Sequence, residues 1–378
     1  MIATLFAALA TLIWLSLWLA HGQFWRIENE PLPSAPSEWP RVTVIIPARN
    51  EEEGIGGTLR TLFTQDYSSP LRIVVVDDHS TDATARKALE TAQELGREQD
   101  LTVIPAEPLP ARWTGKVWAM HQGVTRELLA EDPATYLLFS DADIHHDPCA
   151  VRELVTRSEA DQLDLASFMV RLRCDNGAES LMIPAFVFFF RMLYPFRWSN
   201  DPANPMAAAA GGTMLLRRSA LPRLDNLTCI HDALIDDCAL ARSVKKGGNR
   251  IWLGLSDTSS STRSYHSLGE IVHMVARTAY TQLDYSPLQL LGCLVGLTLT
   301  FLLPVALTFS RTGLPALVGA ALWLLMARLY LPMIRFYHRS PLLALTLPLT
   351  ATLYLYATLL SAIRHHSGRG GQWKGRTN

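Results

Sequence analysis

The chain is poor in charge of either sign. Only 18% of its 378 residues are charged, and the formal net charge is −1. A nearly neutral chain has no global field to attract nucleic acid, so we expect no nucleic-acid partner. Its five cysteines contain no Cys-x-x-Cys pair. A disulfide framework or a structural zinc site is therefore not expected, and a reducing compartment fits. The cysteines are Cys149, Cys174, Cys229, Cys238 and Cys293.

Charge is absent altogether from Ile2 to Ala20, an almost uninterrupted apolar run. About 20 residues at roughly 1.5 Å each cross a hydrocarbon core of about 30 Å, so residues 1–22 are predicted to form an N-terminal membrane anchor. A cleaved signal peptide is the alternative, but no Lys or Arg precedes the run and no clear small-x-small cleavage site is present. Residues 287–363 are apolar again and predict further membrane segments rather than a buried helical core. These segments lie near Leu288–Phe309, Leu314–Ile334 and Pro341–Ile363.

Basic residues gather in the tail, residues 364–378. They predict a position near an anionic, cytoplasmic membrane face. If the middle of the chain is also cytoplasmic, three full crossings would place the tail on the other side. Either one segment is re-entrant or interfacial, or the tail breaks the rule, and the sequence leaves these alternatives open. The basic residues are Arg364, Arg369, Lys374 and Arg376, with His365 and His366 beside the first.

The region between the membrane parts follows a proline-rich linker, residues 23–40. Its β-branched runs alternate with helical patterns at Glu51–Phe63 and Val117–Leu129. Continuous apolar strands that alternate with helices predict an α/β domain whose mostly parallel sheet is covered by helices on both faces. We place this domain at residues 41–265 and an interfacial connector at residues 266–286. The predicted strands are Val42–Pro47, Ile73–Val76, Leu101–Ile104 and Tyr136–Phe139.

Polar residues follow the first, second and fourth of these strands. Because the carboxyl ends of parallel strands lie along one edge of a sheet, these side chains are expected to converge on one crevice. Asp141 and Asp143, one residue apart, would present there the hard oxygen ligands with which Mg²⁺ or Mn²⁺ bridges phosphates. Glycines at Gly54–Gly57 lack the G-x-G-x-x-G spacing and are discounted as a phosphate loop. The three blocks are Ala48-Arg49-Asn50-Glu51, Asp77-Asp78-His79-Ser80 and Asp141-Ala142-Asp143.

These blocks, in this order, resemble the signature blocks of family 2 glycosyltransferases with the GT-A fold, and the resemblance spans roughly Arg41 to Tyr285. The segment Arg112–Ala119, which contains Trp113-Thr114-Gly115-Lys116, is similar to those of membrane enzymes that glycosylate isoprenoid lipids. The chain is most similar to the hopene-associated glycosyltransferases of bacteria, which also have basic tails similar to Gly371–Arg376.

The resemblance implies a nucleotide pocket formed by the first two blocks. Glu51 and Asp78 would contact the uridine base and ribose, and a carboxylate can accept the uracil N3–H. Asp141 and Asp143 would bind the ribose and a Mn²⁺ or Mg²⁺ cofactor, with His145 as a third metal ligand. Further nucleotide-sugar contacts would come from Pro47, Arg49, Asp77, Lys116, Gly211 and Gly212.

Inverting transfer also requires a general base for the acceptor hydroxyl. The acidic pair Asp236-Asp237 is similar to the pair that the family places before a short helix, and the second acid, Asp237, would be the base. A helix N-cap is the alternative role for Asp237, and Asp232 is a nearby competitor. Gly211 and Gly212 resemble the block that floors the donor-sugar site, where glycine allows close backbone approach.

One departure from the family points to the product. The Gln-x-x-Arg-Trp motif of processive synthases is missing from Ala276–Leu283, which favours a single transfer. The aromatic stretch Leu181–Phe196 suits the membrane interface beside a lipid acceptor, with ordinary core as its alternative. We therefore expect a metal-dependent enzyme of the bacterial inner membrane, with a cytoplasmic catalytic domain, that moves one sugar from a UDP-sugar to an isoprenoid-type lipid such as a hopanoid. A processive polysaccharide synthase and a non-catalytic membrane scaffold are the alternatives.

Overall fold

The computed structural model describes residues 1–28, 30–311, 313–368, 372–373 and 376–377. The chain forms two compact units. The helical unit comprises Met1–Glu28, Cys174–Arg197 and Ser264–Gly371, and the sheet unit comprises Asn29–Arg173, Trp198–Arg263 and Gln372–Asn378. Of the basic tail residues, Arg369 and Lys374 lie outside the described residues.

The strands are β1 (Val42–Ala48), β2 (Leu71–Asp77), β3 (Leu101–Pro105), β4 (Tyr136–Ser140), β5 (Ile144–His146), β6 (Leu165–Arg171), β7 (Thr213–Arg217), β8 (Ile251–Ser261), β9 (Gln372–Trp373) and β10 (Arg376–Thr377). The α-helices are α1 (Ile2–Leu19), α2 (Ile55–Phe63), α3 (Thr84–Glu94), α4 (Gly115–Leu128), α5 (Ala150–Ala160), α6 (Gly177–Leu193), α7 (Phe196–Asn200), α8 (Asp236–Lys246), α9 (Leu268–Ala276), α10 (Pro287–Leu297), α11 (Leu303–Thr308), α12 (Gly313–Phe336) and α13 (Leu347–His366). A π-helical stretch, Thr298–Leu302, joins α10 to α11, and a 3-10 helix, Pro341–Thr346, precedes α13.

The sheet unit is built on an eight-stranded sheet of order β3-β2-β1-β4-β7-β6-β8-β5. Its first four strands in that order are parallel, and β7 and β5 run against their neighbours. Alternate residues of β1 bury into different clusters: Val44 packs with α2 residues, whereas Ile45 packs with α4 residues. Strands buried on both faces are the reason for the continuous apolar runs. The predicted α/β fold with a mostly parallel, two-sided sheet is confirmed.

Pro47 does not end β1, contrary to the sequence-based expectation, and is a buried residue of the strand. Proline has no N–H to donate to a ladder, which normally keeps it out of central strands. Here the pairing with β4 stops at Ile45 opposite Phe139, while the pairing with β2 continues to Ala48 opposite Asp77. At Pro47, therefore, β1 has a ladder partner on one side alone.

Within the described residues, the helical unit contains four helical segments long and apolar enough to cross a membrane. They coincide with the predicted segments and are Ile2–Leu19, Pro287–Thr308, Gly313–Phe336 and Pro341–His366. Gly319 lets α12 approach α11 closely, because a Cβ at this position would lie 2.6 Å from the Pro304 carbonyl oxygen. The four segments thus have the length and apolar composition of membrane helices, and α11 and α12 also pack closely, as membrane helices do.

The aromatic stretch expected at the membrane interface forms α6 and packs inside the helical unit. Phe188 contacts Tyr330 of α12 with ring centroids 5.0 Å apart, and Phe189 contacts Tyr354 of α13 at 4.9 Å. Both phenylalanines are buried. The alternative interpretation, ordinary core, therefore describes this part of α6, although Leu193 at its end is exposed.

The last helix ends beside the beginning of the first C-terminal helix. Residues of the last turns of α13 and the first turn of α10 line one groove. At the other end of α13, the Leu345 carbonyl accepts a hydrogen bond from the indole N–H of Trp323, near the middle of α12, at 3.0 Å. The segment Pro341–His366 therefore contacts the middle of α12 near its own start and the beginning of α10 at its end.

Candidate active site

The polar blocks meet at one edge of the sheet. Ala48 lies opposite Asp77 in the β1–β2 ladder, so the residues after both strands emerge side by side. Ser140, the last residue of β4, pairs with Thr213, the first residue of the antiparallel β7. The segment before β7 and the segment after β4 therefore occupy the same edge, where ligands bind in open α/β sheets.

A lysine joins the segment after β4 to the start of α8. The Nζ atom of Lys116 lies 2.9 Å from Oδ1 of Asp141 and 3.4 Å from Oδ2 of Asp236. Lys116 occupies the first turn of α4, where the helix dipole disfavours a cation, so the two carboxylates offset both this effect and its burial. Burial lowers the pKa of Lys116, but the charges of Asp141 and Asp236 outweigh it and raise the pKa above its ordinary value. The amine is therefore a fixed positive charge.

Asp237 is held by the backbone. Its Oδ2 accepts a hydrogen bond from the Gly211 N–H at 2.9 Å, and its Oδ1 accepts one from the Cys238 N–H at 2.7 Å. Burial and the charge of Asp236 raise the pKa of Asp237 to about 6, against the opposing effects of Lys116 and the two N–H groups. The side chain remains partly exposed. A reachable carboxylate with a pKa near the working pH is suited to accept a proton.

The helix N-cap alternative for Asp237 does not describe its position. Helix α8 begins at Asp236, its N-cap is Ile235, and no side chain caps it by a hydrogen bond. Asp232, the competitor on the preceding segment, is exposed.

The two glycines before β7 leave no room for side chains. A Cβ on Gly211 would lie 3.2 Å from Nζ of Lys116 and 3.3 Å from Oδ2 of Asp237. A Cβ on Gly212 would lie 3.1 Å from Cγ2 of Val170, and the Gly212 carbonyl accepts the Asp141 N–H at 3.2 Å. The structure thus brings the predicted residues Lys116, Asp141, Asp236, Asp237 and Gly211 together in one cluster, hereafter the acid–lysine cluster.

The turn that carries Asp141 and Asp143 is anchored by threonines that the sequence reasoning missed. Thr58 donates its hydroxyl to the Ala142 carbonyl at 2.8 Å, and Thr262 donates its N–H to the Asp143 carbonyl at the same distance. A Cβ on Gly54 would lie 2.9 Å from the Ala142 oxygen. This glycine therefore packs against the acidic turn, a contact between distant parts of the chain that has no local sequence signal.

His145 does not join the two aspartates in a closed metal site. It is exposed on β5, and its Nε2 lies 3.3 Å from Oδ1 of Asp147. Within the described residues, no group of three His, Cys, Asp or Glu side chains is placed to hold a metal ion. The pair Asp141 and Asp143 nevertheless fits Mg²⁺ or Mn²⁺, which proteins commonly hold by one or two carboxylates together with substrate phosphates.

The neighbouring His146 is structural. It is buried, with Nε2 3.0 Å from the Ser140 hydroxyl and Nδ1 3.1 Å from the Ser259 hydroxyl. Burial, with a smaller effect of His145, lowers its pKa to about 3. A neutral imidazole between two hydroxyls fixes the end of β4.

The loops after β1 and β2 hold each other. Asn50 and His79 have left-handed backbones, with φ of 51° and 52°. The Asn50 N–H donates to the Ser80 hydroxyl at 3.0 Å, and the Glu51 N–H donates to the Thr84 hydroxyl at 2.8 Å. Such mutual bonding fixes the rim of the crevice before any ligand binds.

The predicted nucleotide contacts differ in accessibility. Asp78 is fully buried, and its Oδ2 lies 3.7 Å from the Arg49 guanidinium, so it offers little surface to a nucleotide. Pro47 is buried in β1, and Asp77 binds the Ser80 hydroxyl. Glu51 and Arg49 are partly exposed. Of these four residues, Glu51 and Arg49 are therefore accessible to a ligand, whereas Asp78 and Pro47 are buried.

An aromatic cluster next to Lys116 was also missed. The Trp113 ring centroid lies 5.0 Å from those of Trp118 and His121 and 5.7 Å from that of His231. Trp118 and His121 are stacked. The three-residue spacing of Trp118 and His121 on a predicted helix was an available signal, because such residues share a helix face.

Residues 43–224 match the family described as Glycosyl transferase family 2. The chain carries a family 2 glycosyltransferase domain. The matched residues end before Asp236 and Asp237, so the acid–lysine cluster joins this domain to a segment beyond the match.

The chain is similar to curated proteins and to solved structures. The 4,4'-diaponeurosporenoate glycosyltransferase of Staphylococcus aureus (strain USA300) is 36% identical over 104 residues, which are 27% of this chain and 24% of that protein. The match thus spans about a quarter of the relative's length. The mannosyltransferase PcManGT from Pyrobaculum calidifontis, in complex with GDP-Man and Mn²⁺, has a TM-score of 0.60 at 18% identity, covering 96% of this chain and 99% of that chain. This similarity shows that the two chains share a fold.

Proposed function

We propose that this protein transfers a single sugar, with inversion, from a nucleotide-sugar to an isoprenoid-type membrane lipid. The observation that carries the proposal is Asp237, a partly exposed carboxylate with a pKa raised to about 6, held by the Gly211 N–H within the acid–lysine cluster. Next to a family 2 domain, such a group can supply the general base that direct displacement requires.

In this proposal, different residues of the chain have different roles in the reaction. Asp237 accepts the proton of the acceptor hydroxyl as the hydroxyl oxygen bonds to the anomeric carbon. The bond from that carbon to the diphosphate breaks, and the nucleoside diphosphate leaves. Lys116, a fixed cation beside Asp141 at the same edge of the sheet, stabilises the negative charge of the leaving diphosphate. One displacement inverts the anomeric centre and needs no covalent enzyme intermediate.

Asp143 and Asp141 would hold the metal ion, Mn²⁺ or Mg²⁺. Bound there, the ion would neutralise charge on the diphosphate leaving group. Support comes from the partly exposed pair of hard oxygen ligands and from the solved relative that contains Mn²⁺. Asp143, the safer ligand by the family resemblance, is the principal ligand in this proposal.

We propose a UDP-sugar as donor, with Glu51 accepting the N3–H of uracil. A carboxylate also accepts the N1–H of guanine, and PcManGT contains GDP-Man, so both donors belong in the test. For the acceptor, the name of the S. aureus relative points to a carotenoid-type acid, and the hopene-associated resemblance points to a hopanoid. Both are isoprenoid-type lipids.

We further propose that the catalytic domain and the tail share the cytoplasmic side of a bacterial inner membrane. The end of α13 lies beside the start of α10, which favours two full crossings after the catalytic domain and a re-entrant third segment. That arrangement removes the conflict between a cytoplasmic domain and a basic tail.

The test uses the full chain in lipid nanodiscs with UDP- or GDP-sugars and a hopanoid or carotenoid-acid acceptor, with and without a chelator. Mass spectrometry of the organic phase should show a lipid heavier by one sugar, formed with metal alone. A water-soluble polymer would support the processive synthase instead. Absence of both products and of metal-dependent donor hydrolysis, for every donor and acceptor, would leave the scaffold alternative.

A further inference from the structure

The helical unit contains an apolar groove of about 460 Å³ between the first turn of α10 and the last turns of α13. Leu359 and Ile363 on its wall are exposed to the surroundings of the helices. A groove of this volume and lining accepts an apolar chain. Its apolar walls are formed by Pro287, Leu290, Leu359, Ala362 and Ile363.

The groove has one polar end. Tyr280 lines it and is 1% exposed, and its buried hydroxyl oxygen has no hydrogen-bond partner among the residues that the structure describes. The tyrosine is fixed in place, because its N–H donates to the Ser361 hydroxyl at 3.0 Å and its ring packs against His365 and His366. A buried hydroxyl is normally hydrogen-bonded, so an unpartnered one beside a groove indicates a polar ligand group there.

Basic side chains surround this end. Arg364, His365 and His366 form the last turn of α13, and His366 lines the groove. The start of α10 and the end of α13 are the ends of candidate membrane segments, where lipid headgroups lie. Basic pockets between membrane helices bind anionic headgroups.

We propose that this groove binds one anionic glycerophospholipid of the bilayer. An acyl chain fills the apolar part, and the phosphate accepts hydrogen bonds from the Tyr280 hydroxyl and the basic turn. The site is distinct from the acid–lysine cluster, and the proposal does not depend on the proposed sugar transfer.

The test is native mass spectrometry of the full-length protein titrated with phosphatidylglycerol or phosphatidylcholine. One phosphatidylglycerol should be retained in preference to phosphatidylcholine. Leu359→Trp fills the groove and should abolish this retention, whereas Leu349→Trp, the same change at an exposed position of α13 that does not line the groove, should leave it intact. Elution and melting temperature equal to wild type establish that both variants fold.

A second variant tests the polar end. Tyr280→Phe keeps the ring but loses the donor, and removing a hydrogen bond to the phosphate should weaken phosphatidylglycerol binding about tenfold. Equal retention of the two lipids by wild type would overturn the proposal. So would wild-type retention by Leu359→Trp, or displacement of the phospholipid by an isoprenoid lipid at equal concentration.

Discussion

Asp237→Asn tests the proposed base directly. The substitution keeps the shape of the side chain but removes its ability to take a proton, so kcat should fall by about 10² or more while donor binding persists. The wild-type enzyme should also lose activity in acid, because a base with a pKa of about 6 is protonated there. One pH unit below that pKa, about one tenth of the molecules hold the ionised form, so the rate should be about tenfold below its plateau.

The structure also gives the cost of the substitution to the fold. Asp237 accepts N–H groups from Gly211 and Cys238 on separate oxygens. Asparagine has one acceptor oxygen, so one of these bonds is lost, at about 1–3 kcal/mol for a buried donor. Melting temperature must therefore be measured beside kcat, and the kinetics must be done well below the melting transition.

The assay is single-turnover transfer of labelled sugar at saturating donor, from about pH 5 to 8. Asp232→Asn is the matched control, because Asp232 is an exposed aspartate on the segment before α8. It should retain both the wild-type rate and the acidic limb. If Asp237→Asn turns over near the wild-type rate, or keeps the same acidic limb at a reduced rate, the base lies elsewhere, and Asp236 and Asp232 become the candidates.

Three further outcomes are expected. Asp143→Ala should abolish Mn²⁺-dependent nucleotide binding in titration calorimetry, whereas Asp147→Ala, which removes the partner of His145, should not; unchanged metal dependence in Asp143→Ala would refute the metal assignment. Lys116→Met should move the acidic limb to higher pH, because the lysine charge lowers the pKa of Asp237; an unmoved limb in an active variant would show that the two groups are not coupled. In a background without the five native cysteines, an impermeant reagent outside intact cells should label Ser310→Cys but not Gln99→Cys or Ser367→Cys, and labelling of the last would show a third full crossing.

Local sequence patterns were sufficient to predict the first four strands of the sheet. Apolar runs predicted β1 to β4 because a two-sided parallel sheet demands apolar residues at every position. The residues after those strands could be placed at one edge for the same reason. Pro47 was misread as a strand end, because its tolerance depends on where the β4 partner stops, and that register is not a local property.

Contacts between distant segments were beyond the sequence patterns. Thr58 donates a hydrogen bond to the turn at Ala142, and the same turn leaves no room for a side chain at Gly54. His145 was a candidate metal ligand through the family resemblance, yet it is exposed on β5 beside Asp147. The burial of Asp78 likewise depends on the loop after β1 folding over it, which a reading of its own strand end could not show.

Lys116 connects the segment that matches the family, which ends at residue 224, to the proposed catalytic residues beyond it. The matched segment supplies Asp141 and the lysine, and the later segment supplies Asp236 and Asp237. Without the lysine, these carboxylates would repel one another at the edge of the sheet. With it, Asp141 and Asp236 each have an ion-pair partner, and Asp237, which Lys116 influences without a close ion pair of its own, keeps a raised pKa. One cation thus pairs with two of three neighbouring acids and leaves the third as the proposed proton acceptor, so that a metal-binding side and a base side can lie in one active site.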